Sequence, residues 1–433
     1  MKISFYYKIL IYILVFFSFF SFFGGFYLNE NSAGAGDYTG DITNIWPNLQ
    51  IWLTNDIISS IHHEEYYSSR TPFLYFLHKT LNPFTDNIES FRKSVFLFSL
   101  SLPILFYFSL RERFIKSDKL LLLLISSTIC FSPYFRTSAY WGLEENFGFI
   151  FLLLSFLSLN FFLKNNNINR THIFLILTTF FSACCLYFDQ KLIIIPLICF
   201  IKILTSNKLL QLKALSIFYY AILSLPYIYL IVLWKGLIPP ALLDPNTGRK
   251  LGDEIFLLHI GYAMTMIAFY LVPLLLFKER HLTDLIKNFL KDKNNYYFLA
   301  LFFIYITILI LFSDFSDQSA LGKGFVHKIS NILFENEINK ILFVFFSFFI
   351  SWIIILIYVE KKLIDILTIV YLLILSIAIW PIFQEYFDPL ILLMVFTFFG
   401  SKLYVNYKNS IILYAYFLVF IVSINIYYAN LLS

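Results

Sequence analysis

Apolar runs of about 17 to 25 residues recur along this chain, and a helix of that length crosses the hydrocarbon core of a bilayer. They lie near 9–28, 94–110, 120–135, 147–163, 171–188, 192–206, 214–234, 255–277, 296–313, 341–359, 363–381, 388–401 and 410–430. That series predicts an all-α polytopic membrane protein of about thirteen transmembrane helices, a single integral membrane domain over 1–433. Charge supports the class. Only 14% of residues are charged, against 59% hydrophobic, whereas a soluble domain carries about 25% charged residues. The mean hydropathy is +0.76. The 54 Phe and 30 Tyr suit a lipid-facing exterior with tyrosines near the interfaces. Ala33-Gly34-Ala35 resembles a signal-cleavage site, but Ile9–Leu28 exceeds the usual apolar core of a signal peptide, so the first run reads as a retained helix.

The distribution of charge then orients the chain. With the N-terminus in the cytoplasm, the inner segments are the N-terminus, 111–119, 164–170, 202–213, 278–293, 360–365 and 402–408. They hold 20 of the 32 Lys and Arg and only 7 of the 27 Asp and Glu. That is a net +13 inside against −8 outside, as the positive-inside rule requires. The basic pI of 8.7 is therefore a topology signal, and nucleic acid is not an expected partner. The loops expected outside are 29–71, 235–254 and 314–340.

Several chemistries find no support. The four cysteines, Cys130, Cys184, Cys185 and Cys199, fall inside apolar runs and suggest neither disulfides nor a thiolate metal site. There is no sequence repeat of the transporter kind, no Walker loop, no His-Glu-x-x-His helix and no Gly-x-Ser-x-Gly elbow. His62-His63-Glu64-Glu65 reads as solvated polar surface.

The unusual residues gather on the outer side. Gly36-Asp37-Tyr38-Thr39-Gly40-Asp41 opens the first outer loop, which closes on Arg70-Thr71-Pro72-Phe73-Leu74-Tyr75. Between them Ile45, Leu49 and Trp52 fall at helical spacing, predicting a short amphipathic helix with Asp41 near its N-terminus. Polar groups cost several kcal/mol at membrane depth without partners, so a set of them on one face implies a polar cavity.

A first helix, a long outer loop with an acid near its start, and a basic-Pro-aromatic turn leading into the next helix together resemble the GT-C superfamily of polyprenyl-phosphate-sugar-dependent glycosyltransferases. The protein mannosyltransferases and aminoarabinose lipid A transferases share this layout. The motif likeness covers the first ~90 residues, and the rest is alike in topology. Asp41 precedes Pro72 by 31 positions, which matches the family's catalytic acid, with Asp37 as its acidic neighbour. The acids here are spaced Asp-x-x-x-Asp and the turn has one proline, both departures from the family pattern.

The resemblance implies transfer of a sugar from a polyprenyl-phosphate donor to a glycan or lipid acceptor, at the outer face of a bacterial inner membrane. Such transfer needs a base for the acceptor hydroxyl and cations for the departing phosphate. Asp41 is the expected base, and Arg70, Arg136 and Lys191, at the outer ends of spans, are the expected phosphate contacts. Glu144 and Glu145 open the helix after 134–143, where they could meet acceptor hydroxyls or help hold a cation; Trp141 beside them reads as an interfacial anchor. Asp189-Gln190-Lys191 reads as a tight outer hairpin placing Gln190 and Lys191 at the cavity. Gln384-Glu385-Tyr386, ahead of Pro389, is its late counterpart. Ser319-Ala320-Leu321-Gly322-Lys323-Gly324 reads as a flexible stretch whose backbone amides could approach an anion. No organic cofactor is implied, and a divalent cation stays open.

Two other readings fit the same composition. One is a lipid-linked oligosaccharide flippase or transporter, the other an O-antigen polymerase or ligase with a large late loop. A flippase places charges in mid-span along a cavity, whereas here they gather at one face, which favours the enzyme.

Overall fold

The computed structural model describes residues 5–32, 36–68, 70–237, 239, 250–251, 255–279, 282–313, 322–359 and 362–432. The cleavage-like Ala33-Gly34-Ala35 lies outside the described residues, as do most of loop 235–254 and residues 319–321 of the glycine-flanked stretch. Helices dominate. A two-residue antiparallel pairing of Lys250–Leu251 with Ile379–Trp380 is the strand structure among the described residues.

Among the described residues nine helices are long and apolar enough to cross a membrane: Phe5–Tyr27, Ile88–Arg113, Glu145–Lys164, Ile168–Phe188, Leu210–Trp234, Leu258–Phe277, Lys293–Phe312, Glu337–Tyr358 and Tyr407–Ala429. Lys119–Phe131 and Pro133–Trp141 together make a tenth if the pair, bent by 66°, counts as one span. The described residues thus show nine or ten of the roughly thirteen spans expected. The run at 192–206 resolves into a 3₁₀ turn and an eleven-residue helix, Ile194–Leu204. The run at 363–381 holds a fifteen-residue helix, Leu363–Ile377. The run at 388–401 holds only Leu390–Phe396, seven residues that are all buried. At about 1.5 Å per residue none of the three covers ~30 Å of hydrocarbon.

The chain divides into two compact units, Met1–Leu242 with Ser410–Ser433, and Leu243–Asn409. In the first unit, Glu145–Lys164 is the central helix, 67% buried over its apolar stretch and packed against Ile168–Phe188. Leu210–Trp234 is 11% buried and presents Leu225, Ile228 and Val232 outward, a surface that only lipid solvates at low cost. In the second unit, Leu258–Phe277 is central at 72% buried, and Lys293–Phe312 is peripheral at 11%. That unit also contains a helix absent from the sequence reading: Leu282–Lys291 is amphipathic, with Leu285, Ile286 and Phe289 set against Lys287, Asn288 and Lys291, the pattern of a helix lying in an interface.

Candidate functional site

The site is built in the first unit. The expected amphipathic helix forms over Ile42–Thr54, burying Ile45, Leu49 and Trp52. Asp41 stands at its N-cap position, yet its side chain makes no cap hydrogen bond. The backbone carbonyl of Asp41 accepts from Asn44 and Ile45 instead, and the carboxylate is left to turn away from the helix.

It turns toward Arg70. The Arg-Thr-Pro turn is held by its neighbours on both sides. Arg70 N–H donates to Ser68 Oγ at 3.0 Å, and Ser68 Oγ meets the Tyr75 hydroxyl at 2.8 Å. Thr71 donates to the carbonyl of Tyr187, and Phe73 packs on Phe188 with ring centroids 4.8 Å apart. The turn is thereby docked on the bend where Ile168–Phe188 ends. The Arg70 guanidinium then bridges two acids, Asp41 Oδ1 at 3.3 Å and Glu144.

Glu144 and Glu145 arrive from a second sharp bend. Ser132 caps Pro133–Trp141 by accepting from Phe135 N–H at 3.1 Å, and Gly142, at φ +79°, ends that helix in a left-handed turn. A Cβ there would press on the Phe91 ring. Glu144 stands at the N-cap position of the following helix and Glu145 is its first residue, as the sequence indicates. Burial pushes the Glu144 carboxyl up to about 8, against the downward pull of Arg70.

The third contribution is Asp189-Gln190-Lys191, a 3₁₀ turn capped by Asp189, whose Oδ1 accepts from Lys191 N–H at 2.9 Å. Lys191 Nζ lies 3.2 Å from Asp189 Oδ2, and Gln190 is half-buried beside them. Gly148 lets this turn close on the Glu145 helix: a Cβ there would meet Leu192 Cδ1 at 2.7 Å. The charges of Lys191, Arg70 and Asp189 all act on Glu145. Four acids (Asp41, Glu144, Glu145 and Asp189) thus surround two cations, Arg70 and Lys191.

Other expected residues have other partners. Asp37, itself at φ +74°, accepts from Thr39 N–H at 2.5 Å and Thr39 Oγ1 at 2.6 Å, which holds its carboxyl below the usual range in a local turn. Arg136 is 2% exposed and engages Glu30 Oε2 at 3.2 Å, Tyr140 Oη at 2.9 Å and Ser21. These contacts tie the first helix to Pro133–Trp141. Trp141, read as an interfacial anchor, is fully buried instead: Nε1 donates to the Glu30 carbonyl at 3.2 Å, and Arg92 stacks 4.0 Å from its ring. Gln384, Glu385 and Tyr386 belong to the second unit, where Gln384 Nε2 donates to Tyr270 Oη at 3.1 Å and the other two are half-buried. Glu30, Arg92 and Gly25 went unread, because their significance lies in partners far along the chain. At Gly25 a Cβ would approach Tyr140 Oη to 2.7 Å and Arg136 Nη2 to 2.8 Å.

Among the described residues no group of three or more His, Cys, Asp or Glu side chains is arranged to hold a metal ion, so the acids of the site do not form a ready cation cage. His63 of the adjacent histidines accepts from Glu65 N–H at 3.2 Å within its own loop. Comparison with family models, curated proteins and solved structures finds no match.

Proposed function

We propose that this chain is a membrane glycosyltransferase that moves a sugar from a polyprenyl-phosphate donor to a glycan or lipid acceptor, with Asp41 as general base. The observation that carries the reading is the Asp41–Arg70–Glu144 arrangement. The acid that opens the first loop and the arginine that closes it meet at 3.3 Å, with the Asp41 side chain still one-quarter exposed. Asp41 takes the proton of the acceptor hydroxyl as that oxygen attacks the anomeric carbon. The bond from that carbon to the donor phosphate oxygen breaks, its electron pair leaves with the phosphate, and the configuration inverts. Arg70, held between Asp41 and Glu144, keeps the Asp41 carboxylate aimed. Lys191, on its own tight turn, is the cation assigned to the leaving phosphate. Glu144, whose carboxyl burial pushes upward against the pull of Arg70, shares that guanidinium with Asp41.

The test is Asp41→Asn in membranes supplied with a polyprenyl-linked sugar and the native envelope acceptors. The amide keeps the shape and cannot take the proton, so transfer falls by about 10²–10⁴-fold while donor binding survives. Asp37→Asn has a milder effect, because its carboxylate is engaged by Thr39. Wild-type turnover in both variants and in the double variant would remove acid–base transfer from this loop and leave the flippase reading ahead.

A further inference from the structure

The loop that carries Asp41 is fastened at a second point, away from Arg70. The Tyr38 hydroxyl donates to Glu89 Oε1 and accepts from Arg92 Nη1. Glu89 and Arg92 stand one helical turn apart on Ile88–Arg113 and pair with each other at 3.2 Å. The Tyr38 ring lies edge-on to Trp141, with centroids 5.3 Å apart, and the Arg92 guanidinium lies 4.7 Å from its centre. Gly36, two residues earlier, closes on the same indole: a Cβ there would meet Trp141 Nε1 at 2.7 Å.

Arg92 is a fixed post for this contact. It is 1% exposed, its Nε donates to the Tyr140 carbonyl at 2.9 Å, and its Nη2 donates to Asn29 Oδ1 at 2.9 Å. Those bonds tie the chain just after the first helix to the end of Pro133–Trp141, the segment that turns at Gly142 into Glu144. Tyr38 is thus anchored to the same bend that delivers Glu144 to the site.

Between Tyr38 and Asp41 the backbone is braced at each step. Thr39 N–H donates to Asp37 Oδ1 at 2.5 Å, and Gly40 N–H donates to the Asp37 carbonyl at 3.3 Å. The Gly40 carbonyl accepts from Thr43 N–H at 3.1 Å and from Thr43 Oγ1 at 2.7 Å, which joins the turn to the start of Ile42–Thr54. A shift of Tyr38 is therefore handed on to the backbone of Asp41. Arg70, by contrast, grips only the carboxylate end, at 3.3 Å.

We propose that Tyr38 is a positioning residue for Asp41, fixing the backbone from which the carboxylate reaches. The proposal rests on the reading of Asp41 as general base. Stability alone is a weaker account of the arrangement. Tyr38 is 43% exposed, so it buries little apolar area, and a phenylalanine would keep the contacts with Trp141 and Arg92. What the hydroxyl adds is direction, because hydrogen bonds to two partners at one oxygen restrict where the ring can sit.

The test compares Tyr38→Phe, Asp41→Asn and the double variant, each in the full chain. The donor is the polyprenyl-phosphate-sugar fraction extracted from the native membrane, the acceptor is the glycan and lipid fraction of that membrane, and turnover is read as polyprenyl phosphate released. A misplacement of ~1 Å can cost about 10²-fold in rate. Tyr38→Phe therefore lowers kcat by about 10- to 100-fold, with KM for the donor and Tm at their wild-type values. In the Asp41→Asn background the same change causes no further loss, because it acts only through that carboxylate. Wild-type kcat in Tyr38→Phe beside a collapsed Asp41→Asn overturns the positioning role and leaves the base in place. Losses that multiply in the double variant, or a kcat loss that follows a lowered Tm, overturn it as well. Full turnover in Asp41→Asn removes the base, and the positioning role falls with it.

Discussion

At the scale of single residues, the first unit uses its charges in two different ways. Arg136 and Arg92 are sealed among aromatic rings and acids, whereas Arg70 sits beside a partly exposed carboxylate. A sealed cation holds structure. Removing one partner of such a pair strands the other and costs about 3–5 kcal/mol. Arg136→Gln therefore lowers the Tm by several degrees through the stranded Glu30, while donor affinity of the protein that remains folded stays at the wild-type level. Weakened donor binding at an unchanged Tm would return Arg136 to the phosphate role its position suggests. His78 offers a second handle. It is 2% exposed, packed between Phe91 and Phe147, and burial pushes its imidazole down to about 3. The folded state refuses a proton that the unfolded chain accepts near 6.5. The stability His78 contributes is thus complete above pH 6.5 and is lost as pH falls toward 3, at up to about 1.4 kcal/mol per pH unit. Thermal unfolding of wild type and His78→Leu between pH 7.5 and 5 reads this directly: the wild-type Tm declines more steeply, and parallel curves would refute it.

At the scale of elements, the site depends on three chain reversals, and the sequence announced them unequally. The Ile42–Thr54 helix and the start of Glu145–Lys164 were legible, because helical spacing of Ile45, Leu49 and Trp52 and a paired acid at a helix start are local signals. The docking of the Arg-Thr-Pro turn on Tyr187 and Phe188 was not legible, since it joins segments more than a hundred residues apart. Gly148 marks the neighbouring junction, where the 189–191 turn closes on the Glu145–Lys164 helix. Gly148→Ala puts a methyl group against Leu192, and overpacking of this kind typically costs ~1–3 kcal/mol. Because the displaced turn carries Asp189 and Lys191, the expected outcome is a lower Tm together with weaker donor binding. A Tm loss with donor affinity unchanged would detach the 189–191 turn from the site. The bend at Ser132 was hidden for a related reason: the apolar run at 120–135 continues across it, and only the Ser-Pro cap shows where it turns.

At the scale of the whole molecule, hydropathy measures the cost of leaving water and does not distinguish lipid from protein as the destination. Leu390–Phe396 is buried at every position and so reads like a span without being one. Charge is less ambiguous, because an ionised group must reach water or a partner. Within the first unit, Glu145–Lys164 runs from the acidic site at one end to Lys164, paired with Glu112, at the other, and Lys208 caps the Asn165 carbonyl there. At about 1.5 Å per residue these ends are ~30 Å apart, one hydrocarbon thickness. The positive-inside rule predicts that the basic end faces the cytoplasm, and hence that Asp41, Arg70 and Lys191 face the opposite side. Single cysteines decide the orientation. Glu64 is exposed in the loop that carries the site, Lys116 is exposed on the segment expected inside, and the four native cysteines are buried and contribute little background. A membrane-impermeant maleimide added to intact, outer-membrane-permeabilised cells labels Glu64→Cys and spares Lys116→Cys, which reacts only after lysis. The opposite pattern would place the site in the cytoplasm, where an outer-leaflet donor cannot reach it, and the proposed transfer would fail with the topology.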